Sequence, residues 1–213
     1  MKTSSISRRK RLPRAEQVEQ NRVAVLAAAG RGFREFGYAG ASLDAIAEEA
    51  GFSKGVIYSQ FASKADLFIT LLEQRIEERA EAQQAAVPAY AAAGDAEAFL
   101  EYMHAVSRAD PQWRLAVLEF RVAAARDPEL NARYARAHQR TIDGIARSLR
   151  TLLDARGVES DFPLAMLAAA GLAFETGVLL EDIAIPSAVP HAHATALIGR
   201  LFGVAVPNPP KPA

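Results

Sequence analysis

The chain has 213 residues, half of them apolar, which is enough for one large domain or two small ones and too apolar for global disorder. It contains no cysteine, which excludes disulfides, thiolate metal sites and cysteine nucleophiles together. Net charge is zero but unevenly placed: residues 1–64 hold 11 Lys/Arg against 6 Asp/Glu and the remainder 14 against 19, so a basic head precedes an acidic body, as in a chain that meets phosphates at one end.

Residues 1–13 carry Lys2, Arg8, Arg9, Lys10 and Arg11 and no acid, which predicts a flexible arm able to lie along phosphates. No apolar stretch follows these charges, so no secretory signal is expected and a cytoplasmic location follows. A helix is predicted from Arg14 to about Phe36 on the stripe Val18, Val25, Leu26, Ala29, Phe33 and Phe36, with Gly37 ending it. Ser42 then reads as an N-cap before Leu43, Ile46, Ala47 and Ala50, and Gly51 as the stop of that short helix. Ser53 is placed to cap a second short helix through Lys54, Gly55, Val56, Ile57 and Tyr58. Ile57 and Phe61 would share its inner face, leaving Lys54, Gly55, Val56, Ser59 and Gln60 outside. Two helices, a glycine turn and an outward N-terminus on the second describe a helix-turn-helix that enters a DNA major groove. Phe33, Phe36, Leu43, Ile46, Ile57 and Phe61 are the expected core of this head.

Read together, Ser42, Ile46-Ala47, Ala50-Gly51, Ser53-Lys54-Gly55, Tyr58, Phe61 and Ser63-Lys64 resemble the DNA-binding domain of TetR-family transcriptional regulators. The resemblance covers about a tenth of the chain. It implies a three-helix head, phosphate contacts from the residues matching Tyr58, Lys64 and Ser42, a body with an effector pocket, and dimerisation through the last two helices as a four-helix bundle. From their chemistry, Lys54 could donate to guanine, Gln60 could pair with adenine, Gly55 would allow close backbone approach, and Ser59 could add a contact. Val56 departs from the family, which commonly has Thr or Ser there, so a thymine methyl contact is the expected replacement.

Beyond the motif, Ser63 should cap a long helix through Leu67, Phe68, Leu71, Leu72 and Ile76 that Pro88 limits. Asp95, Pro111 and Pro128 open three further helices, the last running to about Arg156 before Gly157. The run Leu164 to Leu180 contains Glu175 and falls short of a membrane span, so we expect a buried helix there within 163–183 and no membrane partner. A further apolar helix is predicted over about 190–204, then a proline-rich tail. Helices so poor in charge need partners on several sides, which a homodimer supplies. Helical phase nominates Phe99, Met103, Trp113, Val117, Phe120, Tyr134, His138 and Phe174 as pocket lining, with Glu119, Arg121 and Glu175 as polar anchors, though ordinary core packing explains each equally well. Such a pocket suits a hydrophobic effector.

The sequence offers no glycine-rich phosphate loop, nucleophile elbow or zinc-protease motif, and His191 and His193 would point to different sides of a helix. No catalytic residue, metal or cofactor is therefore expected. The resulting expectation is an all-α chain: arm 1–13, helix-turn-helix domain 14–62, effector-binding and dimerisation domain 63–205, and tail 206–213. Its expected work is that of a ligand-responsive regulator, a repressor that holds a palindromic double-stranded operator as a homodimer and releases it when a small effector binds. An all-α enzyme, or a helical adaptor whose basic head binds nucleic acid without preference, is the alternative.

Overall fold

The structure is a computed structural model that describes residues 13–201, and every regular element there is an α-helix. The basic arm and the proline-rich tail lie outside the described residues, as does the expected end of the last helix near Val204. Contacts divide the chain into two units, residues 1–71 and 72–213, so the division falls inside the fourth helix.

The head unit contains α1 (Arg14–Gly40), α2 (Leu43–Ala50), α3 (Lys54–Tyr58) and the opening turns of α4 (Lys64–Ala93). Its core is Val25, Leu26, Ala29, Phe33, Ile46, Ile57, Phe61, Leu67 and Phe68, all buried. Gly37 breaks α1 at φ +68°, and this overturns the expectation for Phe36, which is 56% exposed. The break re-aims the chain so that Tyr38 enters the core instead, its ring 6.2 Å from Phe33 and 5.1 Å from Phe68. Val18 is likewise exposed, so the buried stripe of α1 begins at Val25, about two turns later than its sequence pattern predicts, and Leu43 of α2 is only half-buried.

The α2–α3 turn is built from local chemistry. The Ser42 Oγ accepts from the Ala45 N–H at 3.1 Å, satisfying one donor at the α2 start. Gly51 adopts the left-handed conformation (φ +75°, ψ 25°), and the Phe52 N–H reaches back to the Ala47 carbonyl at 2.9 Å. Space around Gly51 is open, so only the backbone dislikes a side chain there. Gly51→Ala should therefore lower the stability of the head by about 1 kcal/mol, and Gly51→Asn by less, in thermal melts followed by circular dichroism. At α4, Ser63 Oγ accepts from the Asp66 N–H (3.1 Å) while the Asp66 carboxylate accepts from the Ala62 N–H (2.9 Å).

The body unit holds the rest of α4 with α5 (Ala96–Arg108), α6 (Pro111–Ala124), α7 (Pro128–Ala155), α8 (Leu164–Ala184) and α9 (His191–Leu201). Pro88 does not end α4, contrary to the sequence expectation. Val87 on one side of it is buried against Phe99 and Leu152, with Tyr90 and Ala91 packed on the same cluster, and this packing holds the helix together past the missing N–H. Asp95, Asp110 and Asp127 cap α5, α6 and α7, each carboxylate accepting from backbone N–H groups two or three residues on. Gly157 ends α7 in a left-handed turn at φ +63°. A second cluster, including Leu100, Leu149, Leu153, Leu164, Leu167 and Ile198, ties α5, α7, α8 and α9 together.

α8 departs from the expectation of a buried helix. Its 21 residues are apolar and long enough to cross a membrane by length and composition, yet only 33% of its most apolar window is buried within the chain. Met166, Ala173, Gly177 and Leu180 lie open along one face, with Ala169 half-buried among them. Their spacing of three and four makes this a continuous stripe without charge.

Candidate nucleic-acid interface and ligand cavity

α3 is a five-residue helix, too short to stand alone, and Ile57 with the following Phe61 fixes it to the head by burial. What remains outside is the candidate interface. Tyr58 is 57% exposed, and its hydroxyl meets no partner among the described residues. Ser53 has the extended backbone of an N-cap but its side chain makes no capping bond, a departure from the predicted cap that leaves the hydroxyl open. Gly55 is exposed, Val56 is half-buried, and the Lys54 ammonium is exposed and rests on the Asp44 carboxylate of α2. Such an exposed ion pair is weak and exchangeable. Ser59 Oγ donates to the Val56 carbonyl at 2.7 Å, so its hydrogen is engaged while its lone pairs remain available.

Two of the nominated residues sit otherwise than expected. Gln60 lies beyond the α3 end, which falls at Tyr58, and is turned partly inward, with its amide oxygen buried and unpartnered. An outward adenine-reading pose is therefore not the one present. The Lys64 ammonium donates to the carbonyls of Ala39 (3.1 Å) and Ala41 (3.0 Å) and lies over the Tyr38 ring. These carbonyls lie at the end of α1 beyond the break at Gly37, where a side-chain donor can bond the last turn. In this geometry the ammonium ties α1 to α4 instead of pointing outward for a phosphate.

The body holds a partly open cavity of about 660 Å³, in the range of small-molecule sites. Six of the eight nominated residues line it: Phe99, Met103, Trp113, Val117, Tyr134 and His138. Phe120 and Phe174 do not, which corrects their nomination. Phe120 is fully buried behind the wall with its ring 6.0 Å from that of Tyr134, and Phe174 packs against the leucine cluster joining α5, α7 and α8. Ile198 of α9 closes part of the wall, so the enclosure extends one helix beyond the expected α4–α8.

One side of this largely apolar space is polar. His104 of α5 and Glu175 of α8 are both buried, and His104 Nδ1 meets Glu175 Oε1 at 2.5 Å. The remaining polar atoms, His104 Nε2 and Glu175 Oε2, are buried without a partner. Arg114 donates through Nη2 to the Glu175 backbone carbonyl at 2.6 Å and through Nη1 to the Ser107 carbonyl at 3.4 Å. Burial draws the Arg114 guanidinium below its usual pKa against the opposing pull of Glu175. Arg79 of α4 also lines the cavity, and burial lowers its pKa too, although its side chain keeps open surface. Tyr102 and Glu175 are the groups that oppose this lowering. At the other wall Arg121 lies 5.5 Å from the Tyr134 ring centre. Burial, and then Arg121, depresses the His138 pKa below the ordinary histidine value, so its imidazole is neutral at pH 7. Glu119 is exposed and takes no part in the wall, whereas Arg121 and Glu175 do.

Arg79 and His104 were not singled out from the sequence, although a signal existed. Leu72, Ile76, Arg79 and Gln83 recur at spacings of four, three and four, so Arg79 interrupts an inward stripe. Among the described residues no three His, Cys, Asp or Glu side chains gather as a metal cluster would require. His191 instead stacks on His104 with ring centres 4.5 Å apart.

Comparison with known proteins matches the head to a family and most of the chain to a fold. Residues 25–71 match the family described as bacterial regulatory proteins, tetR family. Over 67 residues, 32% of the chain, the sequence is 40% identical to the HTH-type transcriptional activator FasR of Mycolicibacterium smegmatis. The match spans only 29% of that relative's length. Across 87% of the chain and 97% of the other, the fold resembles a TetR transcription regulator from Haloarcula marismortui, with TM-score 0.66 and 18% identity. Across 85% and 95% it resembles the transcriptional regulator FadR of Bacillus subtilis in complex with stearoyl-CoA, with TM-score 0.61 and 15% identity.

Proposed function

We propose that this chain is a regulator of the TetR type, as the match of residues 25–71 to that family supports, and that it is a ligand-responsive, DNA-binding transcriptional regulator acting in the cytoplasm as a homodimer. The observation that carries the proposal is the pairing of an exposed α3, held by Ile57, with a separate, largely apolar cavity of about 660 Å³ in the body. Tyr58, Ser53, Gly55, Val56 and Lys54 would face DNA, Tyr58 toward phosphates and Val56 toward a base methyl. Ser42 and Ser59 flank them, and Lys54 would exchange Asp44 for the duplex. Lys64 contributes by fixing the frame of the head. Gln60 would read bases only after turning outward.

The cavity would hold a small hydrophobic effector among Phe99, Met103, Trp113, Val117, Tyr134 and His138. The complex of FadR with stearoyl-CoA supports an effector of that kind. Relatives include an activator by name, so the sign of regulation is left to experiment. Coupling would run along α4, one continuous helix whose first turns belong to the head and whose residues 75–83 include cavity wall. Effector binding to one conformation of α4 would shift the population of DNA-competent dimers.

Selecting bound fragments from a genomic library and sequencing them tests the reading. An inverted-repeat operator is expected, with half-site centres about 34–36 Å apart. On that operator Tyr58→Phe should weaken binding to all sequences alike, by about 0.5–1.5 kcal/mol for one lost hydrogen bond. Recovery of no enriched sequence, with binding equal on random DNA, would favour the non-specific adaptor instead.

A further inference from the structure

We propose that the cavity selects amphipathic anions, with the negative head seated at Arg79 and Arg114 and the apolar part along the aromatic and aliphatic wall. The inference rests on the effector-pocket reading and adds the charge of the occupant. Five arginines line the cavity: Arg75, Arg79, Arg114, Arg121 and Arg140. Arg75 is paired with Asp110 at 3.3 Å, and Arg140 with Glu73 at 3.4 Å. The other three have no carboxylate within ion-pair distance among the described residues. Arg114 holds only backbone carbonyls, Arg121 only a ring face, and Arg79 nothing.

The carboxylate whose charge acts on both Arg79 and Arg114 is Glu175, and its Oε1 is occupied by His104. Beside the Arg75–Asp110 and Arg140–Glu73 pairs the wall holds three guanidiniums against two carboxylates, Glu78 and Glu175, so it carries net positive charge, and the partly desolvated Arg114 is costly to keep without a counter-charge. An anion entering from solution removes that cost, and a neutral molecule of the same shape does not. The fork of Arg79 suits a carboxylate or a phosphate ester equally, and either would bring the same negative head. The unpartnered His104 Nε2, nearly sealed from solvent, gives such a head a further polar neighbour in the wall. The apolar remainder of the wall, from Phe99 and Met103 to Val117 and Leu172, has no use for a fully polar anion. Both halves of the ligand are thus specified.

Trp113 is the only tryptophan in the chain and lines the cavity, so its emission reports occupancy directly. The full-length protein would be titrated, below micelle-forming concentrations, with decanoate, decyl phosphate, 1-decanol and decyltrimethylammonium. At least one of the two anions should bind roughly tenfold or more tighter than decanol, and the tighter anion identifies the head. Arg79→Met should weaken that anion by roughly ten- to a hundredfold while leaving decanol unchanged. Arg79→Lys should retain part of the preference. Equal binding of anion and alcohol, or tighter binding of the cation, would overturn the head-group assignment while leaving the pocket standing, and this comparison needs only the wild-type protein. If none of the four probes moved the Trp113 emission or the melting temperature, the pocket reading itself would fail, and the inference with it.

Discussion

Replacing Ile57 by alanine should abolish operator binding and lower the stability of the head by roughly 2–5 kcal/mol. Ile57 is fully buried and is the only buried residue of the five-residue α3. A helix that short has no stability of its own in water, so its place on the surface depends on what it buries. Truncation would leave a cavity at the one point where α3 is fastened to the head. The head is small, and a loss of that size is a large share of the 5–15 kcal/mol typical of a whole domain. Circular dichroism should show an early melting step, and gel shifts should show no retarded operator at concentrations where the wild type is saturated. Val56→Ala serves as the contrast. Val56 is half-buried on the same helix, so its loss should leave the melt nearly unchanged while altering preference among operator variants. An Ile57→Ala protein with unaltered melting and DNA affinity would show that α3 is not the element presented to DNA.

The helix-turn-helix could be read from sequence because its signals are local. Ser42, Gly51 and the Ile57–Phe61 spacing each act within four residues of themselves, and the backbone obeys them. Lys64 shows where such reading stops. Its carbonyl partners lie beyond the break of α1 at Gly37, far back in the chain, an event that the region around Lys64 does not encode. Pro88 is a second case, in which tertiary packing of Val87, Tyr90 and Ala91 overrides a local breaking signal. The cavity divides the same way. Its apolar wall follows helical phase, so Phe99, Met103 and Val117 could be nominated. Phe120 lies one step out of phase from Val117 and Arg121 and turns behind the wall. The polar side is harder to read, because the inward phase of Arg79 on α4 does not say what it meets, and His104 looks like a surface residue on its own helix. Only the meeting of α4, α5, α6 and α8 places them beside Glu175 and Arg114.

Ala173→Arg should convert the proposed dimer to a monomer and lower operator affinity by roughly a hundredfold to ten-thousandfold, the loss expected when two linked half-site contacts become independent. Ala173 sits midway along the exposed stripe Met166, Ala169, Ala173, Gly177 and Leu180 of α8, a helix whose most apolar window is only one-third buried within the chain. Met166 and Leu180 are each about half exposed, and no charge interrupts the stripe between them. A continuous apolar face of this kind marks an interaction surface. The small residues at its centre would let a second helix approach closely, and a second copy of the chain offers the same stripe across a two-fold axis. At the centre of such an isologous contact each substitution occurs twice. Two arginines would then face one another in a desolvated seam, without carboxylates and with no room between the backbones. Light scattering coupled to size-exclusion chromatography checks the mass, and Trp113 titration with the cavity probes checks that the body remains folded. A variant that stayed dimeric and bound operator normally would move the subunit contact away from α8.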